Sequence, residues 1–91
     1  MARLLNADVT ASVDSAAVGV SRRSRDDYRL VQVVISAAAT VSIQGRAAAD
    51  LPWVEVKEYT ASGADPVAMF PEMRASVTLN TGTVTVELDN V

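Results

Sequence analysis

Hydrophobic and polar residues alternate along most of this chain, and a period of two is that of a strand with one buried and one solvated face. Ala7, Val9, Ala11 and Val13 alternate with Asp8, Thr10, Ser12 and Asp14, and Ala16 to Val20 makes a weaker run. Ser21 to Asp27 (SRRSRDD) breaks the pattern and predicts an exposed loop. Tyr28 to Ser36 (YRLVQVVIS) is the most apolar stretch. Val31, Val33 and Ile35 share one face, while Leu30 and Val34 make the other partly apolar, which predicts a central strand covered on both sides. Thr40 to Arg46 alternates again around Val41 and Ile43, and Asp50-Leu51-Pro52 predicts a turn. Trp53 to Thr60 predicts a strand with Val54 and Val56 on one face and Glu55 and Lys57 on the other.

Ser62 to Pro66 (SGADP) is the clearest loop signal in the chain. A short strand from Val67 to Phe70 stops at Pro71. Met73, Ala75, Val77 and Leu79 then face one way, and Val84, Val86 and Leu88 do so on the last strand. Asn80-Thr81-Gly82 between them predicts a tight hairpin, with Gly82 suited to positive φ. The sum is about eight short strands with turns at regular spacing. That is an all-β fold, an antiparallel two-sheet β-sandwich, and a jelly roll is among the topologies open to it. No segment keeps a helical period for three turns. Residues 1–91 read as a single domain with residues 1–6 as an N-terminal arm.

Composition narrows the chemistry. The chain has no Cys and no His, which removes disulfides, thiolate metal sites, the commonest transition-metal ligand and the side chain most used as a general base. Small domains usually supplement a modest core with disulfides, metal or self-association. Self-association is the route left, so a homo-oligomer is expected. The net charge of −3 argues against nucleic acid as a partner, because its binders carry net positive domains. No apolar run approaches the ~20 residues of a membrane-spanning helix. Met1 to Asp8 lacks the apolar stretch of a signal peptide, so synthesis in the cytoplasm is expected.

A search for active groups returns none. The acids Asp26, Asp27, Asp65, Glu72, Glu87 and Asp89 stand in no calcium-loop spacing, and they read as solvated surface. No hydroxyl lies in a G-x-S-x-G elbow, and Lys57, the single lysine, falls on an exposed strand face. The four glycines are dispersed and form no phosphate-binding loop. No catalytic residue, metal ligand or cofactor is therefore expected, and the chain reads as a non-enzymatic binding or assembly protein.

Several segments are candidates for partner contact, each with a plainer alternative. Arg22, Arg23, Arg25 and Arg29 form the one basic cluster, either a docking loop rich in bidentate donors or a solvated loop balanced by Asp26 and Asp27. Trp53 and Tyr59 fall on one strand face by simple alternation, which would make a polar-aromatic platform for carbohydrate; alternatively, Trp53 caps the core. Met69, Phe70 and Met73 surround a turn, as a hydrophobic knob for a neighbouring subunit or as a plug in the end of the core. Leu4 and Leu5 sit in the N-terminal arm, which either frays or adds to a neighbour's surface.

Ala39 to Arg46 (ATVSIQGR), Leu51-Pro52-Trp53-Val54, Phe70 to Arg74 (FPEMR) and Thr81 to Val86 (TGTVTV) together resemble the layout of small β-sandwich structural proteins of tailed-bacteriophage virions. The resemblance spans Ala39 to Val91. It implies a capsid decoration, or cement, protein that binds the major capsid protein at the virion surface. Tail, neck or fibre-adaptor components are the second class it implies, and a small carbohydrate-binding module is the reading that competes with both. It carries over no catalytic residues.

Overall fold

A computed structural model describes residues 2–7, 13–15, 17–19, 28–78 and 81–88, with 2–7 and 13 as backbone only. Among the described residues it contains nine strands and no helix. These are β1 (Ala2–Ala7), β2 (Val13–Asp14), β3 (Val18–Gly19), β4 (Tyr28–Ile35), β5 (Thr40–Arg46), β6 (Val54–Tyr59), β7 (Gly63–Ala68), β8 (Glu72–Thr78) and β9 (Val84–Leu88).

The strands form two antiparallel sheets. The first has the order β1-β9-β4-β7; the second has the order β2-β8-β5-β6, with β3 also pairing β8. Val13 pairs Val77 and Val18 pairs Met73, so β2 and β3 act as one interrupted strand along β8. Ser15 bridges the break, its N–H donating to Ala75 O (2.8 Å) and its Oγ accepting from Ala75 N (2.9 Å). Taken this way, the chain pairs as one long hairpin: β1 with β9, β2 and β3 with β8, β4 with β7, and β5 with β6 at the tip. Successive pairs alternate between the two sheets. A hairpin wound on itself in this manner is the jelly roll.

The expected sandwich is therefore the fold, and its core follows from the two-residue period. Val31, Val33, Val67, Val84, Val86 and Leu88 project from the first sheet, and Val41, Ile43, Tyr59, Met73, Ala75 and Val77 from the second. The nine largest fully buried core side chains each contribute about 1.5–3 kcal/mol by leaving water.

Four expectations about local structure are corrected. The SGADP segment is not a loop, because β7 runs through Gly63–Ala68 with Pro66 paired to Leu30. It is an edge strand, which needs to donate on one side only and so tolerates proline. The Asn80-Thr81-Gly82 connection is not a hairpin, because β8 and β9 belong to different sheets. Asn80 lies outside the described residues, and residues 81–83 lie on the β4–β5 crossing: Thr81 N donates to Ala38 O (2.9 Å), and Thr83 N to Ser36 Oγ (2.7 Å). Gly82 is needed there for space rather than for positive φ, since a Cβ would collide with Ser36 Oγ and Ala37 Cβ. The segment read as an N-terminal arm is largely β1, paired to β9 with a register shift between Arg3 and Leu5. Finally, β4 is central in its sheet, yet its outer side is uncovered.

Candidate interaction surface

The outer faces of the two sheets differ in kind. On the second sheet, the outward positions of β5 and β8 are polar and linked across strands. Arg46 Nε donates to Glu72 Oε1 (2.9 Å), and its Nη2 lies 2.7 Å from the same oxygen. Arg74 Nε donates to Gln44 Oε1 (2.6 Å), and its Nη1 lies 3.6 Å from Asp14 Oδ2. Ser76 Oγ donates to Asp14 Oδ1 (2.6 Å), and Ser42 Oγ to Glu55 Oε1 (2.8 Å). Both guanidiniums stack on Trp53, 4.2 Å from the ring centroid for Arg46 and 4.5 Å for Arg74. Such contacts are worth about 0.5–1 kcal/mol each when exposed and more when desolvated.

Trp53 and Tyr59 do not form a platform. Gln44 pairs Glu55 while Ile43 pairs Lys57, so Val56 is the extra residue of a β-bulge. A bulge inserts one residue and reverses the facing of everything beyond it. Trp53 therefore lies on the outside, whereas Tyr59 is 7% exposed in the core. Its hydroxyl donates to Asp65 Oδ2 (2.8 Å), joining β6 to β7 across the sheets. Burial first, then the Asp65 hydrogen bond and negative charge, push the Tyr59 phenol up to about 12. The bulge also overturns the expected facing of Val54, which is 52% exposed at the sheet edge.

On the first sheet the outer face is mainly apolar along β4 and β7, with Gln32 between Leu30 and Val34, and polar along β9. Tyr28, Leu30 and Val34 are 62%, 42% and 48% exposed along β4. Their register neighbours on β7 are Ala68 beside Tyr28 and Pro66 beside Leu30, and Ala64 lies beside Gln32. On β9, Glu87 lies beside Gln32 and Thr85 beside Val34. The outward positions of β4 and β7 thus carry no charge. Tyr28, Leu30 and Val34 stand exposed beside Ala64, Pro66 and Ala68.

The other candidates fall in several places. Met69 and Met73 are buried, at 4% and 0% exposure, and belong to the core rather than to a protruding knob. Phe70 is half-buried, packed so closely on Gly45 that a Cβ there would meet the ring. The turn is a plug, because the glycine leaves a gap that the ring fills. Arg29 is 8% exposed on the inner side of β4, opposite Val67, so it is no docking-loop residue. Arg22, Arg23 and Arg25 lie outside the described residues. Leu4 and Leu5 lie in β1, with Leu5 in register with Val86 and Leu4 at the register shift.

Sequence reasoning missed both decisive features. The Trp53 network assembles Gln44, Arg46, Glu72 and Arg74 from strands distant in sequence, and no local spacing announces it. Leu30 and Val34 announce an apolar second face on β4, but alternation predicts a cover for it where the side chains stand exposed. Among the described residues no enclosed cavity and no cluster of three acidic side chains is present. Comparison with protein-family models, characterised proteins and solved structures gives no significant match.

Proposed function

We propose that this chain is a non-enzymatic structural protein of a tailed-phage virion, a decoration protein that binds the major capsid protein at the capsid surface. One observation carries the assembly part of this reading: the uncharged apolar face of Tyr28, Leu30, Val34, Ala64 and Pro66 stands uncovered on the first sheet. A domain that bound by chemistry would concentrate polar groups in a concave site. This one offers a flat sheet to a complementary flat surface.

The placement in a virion is supported by the resemblance of Ala39 to Val91 and by the jelly-roll winding, an architecture shared by viral capsid domains and lectins. Fold alone assigns no function, and the choice against a lectin-like role comes from Trp53. Its ring carries two guanidiniums and its expected partner Tyr59 is internal, so the sugar-stacking pair is missing.

Quantitative gel analysis and imaging of purified particles test the reading. Many copies spread over the shell are expected. Occurrence at a single vertex would replace decoration with a tail, neck or fibre-adaptor role, and absence from particles would refute the virion assignment.

A further inference from the structure

We infer that the interrupted strand β2–β3 is a detachable guard over the outer edge of β8. It opens while the two sheets stay packed, and its opening turns β8 into a free edge strand.

The guard is joined to β8 at few points. Among the described residues, Val13 and Asp14 pair Val77 and Ser76, and Val18 and Gly19 pair Met73 and Glu72. Between them Ser15 holds Ala75 by its N–H (2.8 Å) and by its Oγ (2.9 Å). The second of these bonds rests on a side-chain hydroxyl where a regular ladder has a backbone carbonyl. Asp14 adds a bond from Ser76 Oγ (2.6 Å) and a 3.6 Å contact with Arg74, but its side chain is 54% exposed. An ion pair so open to water contributes little.

Burial separates this edge from those on the far side. Asp14, Ala17 and Gly19 are exposed, Ser15 and Val18 are half-buried, and of the five Val18 alone packs against the core. By contrast, edge strand β6 buries Tyr59 and packs Val56 on the core, and edge strand β7 buries Val67. A segment with few buried apolar groups and solvent-facing hydrogen bonds opens at a lower free energy than the whole domain. β8 does not follow it. Met73, Ala75 and Val77 are fully buried on its inner side, and seven register pairs tie it to β5.

In an antiparallel ladder a residue directs its N–H and C=O to the same neighbour, and successive residues alternate. Ala75 faces the guard, so Met73 and Val77 face it too, while Arg74 and Ser76 face β5. Opening therefore releases a row of backbone donors and acceptors along the middle of β8. Such a row is a template to which another chain adds a strand. With the guard closed β8 is an interior strand; with it open β8 accepts a partner.

Amide hydrogen exchange of the full chain, resolved by NMR, tests the inference. The amides of Met73, Ala75 and Val77 should be protected at least ~10-fold less than those of Arg74 and Ser76. Their exchange should also depend weakly on urea, because a local opening exposes little surface. Asp14 and Ser76 are register partners, close enough for a disulfide, and the chain has no other cysteine. In the Asp14→Cys, Ser76→Cys double variant, oxidation should slow exchange at Ala75 at least ~10-fold and reduction should restore it. Two results overturn the inference. One is wild-type exchange at Met73, Ala75 and Val77 as slow and as urea-sensitive as at Arg74 and Ser76, a comparison that needs no variant. The other is a folded double variant in which the disulfide leaves Ala75 exchange unchanged.

Discussion

The contact between Gly45 and Phe70 yields a prediction that reverses sign with context. Gly45 lies on the buried side of β5, and a Cβ built there would stand 2.5 Å from Phe70 Cδ1, 2.7 Å from Cγ and 2.8 Å from Cβ. Those atoms are the root of the aromatic ring rather than the far end of a flexible chain, and Phe70 N also donates to Met73 Sδ (3.4 Å). The ring cannot step aside without disturbing a fully buried methionine. Overpacking of this kind costs about 1–3 kcal/mol. Replacing glycine inside a strand recovers about 0.5–1 kcal/mol of chain entropy. Gly45→Ala should therefore destabilise by a net ~1–2 kcal/mol, which for a domain of this size lowers Tm by roughly 4–16 °C.

In a Phe70→Gly background, which removes the Cβ of residue 70 together with the ring, the same methyl enters vacated space. It now gains about 0.8 kcal/mol of burial as well as the entropy term, so Gly45→Ala should stabilise by ~1–2 kcal/mol. The coupling energy is then about 2–4 kcal/mol, large for a contacting pair. Urea unfolding of the four proteins, followed by Trp53 fluorescence, measures it, with equal m-values as the sign that all four unfold from the same compact state. A coupling under ~0.5 kcal/mol would mean the sites are independent, and the account of Phe70 as a ring seated on glycine would be wrong.

Other predictions follow from single contacts. Gly82→Ala should cost ~1–3 kcal/mol by forcing apart the two sheet crossings that meet at Ser36 and Ala37, read by the same unfolding assay; Ser36→Ala should recover part of the loss. Tyr59→Phe should lower stability by ~1–2 kcal/mol, through loss of the bond that joins β6 to β7. Since folding raises the Tyr59 phenol from 10.0 to about 12, its contribution is complete below pH 10 and is lost as pH rises towards 12, by at most ~3 kcal/mol. Wild type should therefore lose more stability than Tyr59→Phe over that interval, and equal losses would refute the assignment. Arg74→Ala should red-shift Trp53 emission and cost ~1–2 kcal/mol, as the ring loses one stacked guanidinium and Gln44 loses its donor.

Much of the fold was legible because a period of two fixes facing wherever register is regular. Val31 and Val33, Val41 and Ile43, Ala75 and Val77, and Val84, Val86 and Leu88 are all interior, as alternation requires. What misled was chemistry that acts between strands. The bulge at Val56 is set by pairing between β5 and β6 and has no signal within WVEVKEYT, yet it sends Trp53 and Tyr59 to opposite sides. Pro66 reads as a breaker from its own residue type, but its consequence depends on β7 being an edge. A hairpin and a sheet crossing draw on the same turn residues, so Thr81 and Gly82 could not tell the two apart; the backbone bond from Thr81 to Ala38 is what does.

The candidate site shows the same limit from the other side. A strand apolar on both faces normally means a cover on both faces, and the sequence of β4 obeys that rule while the described residues supply only one cover. The two outer faces explain why this is not mere tolerance of stray apolar residues. On the second sheet every outward position of β5 and β8 from Ser42 to Arg46 and from Glu72 to Ser76 is polar and bonded across strands or to Trp53. The same chain that builds so complete a polar surface on one side leaves Tyr28, Leu30 and Val34 in water on the other. Covering their exposed apolar area would stabilise the domain by ~25 cal/mol per Å², and that gain is what the proposed assembly role would draw on.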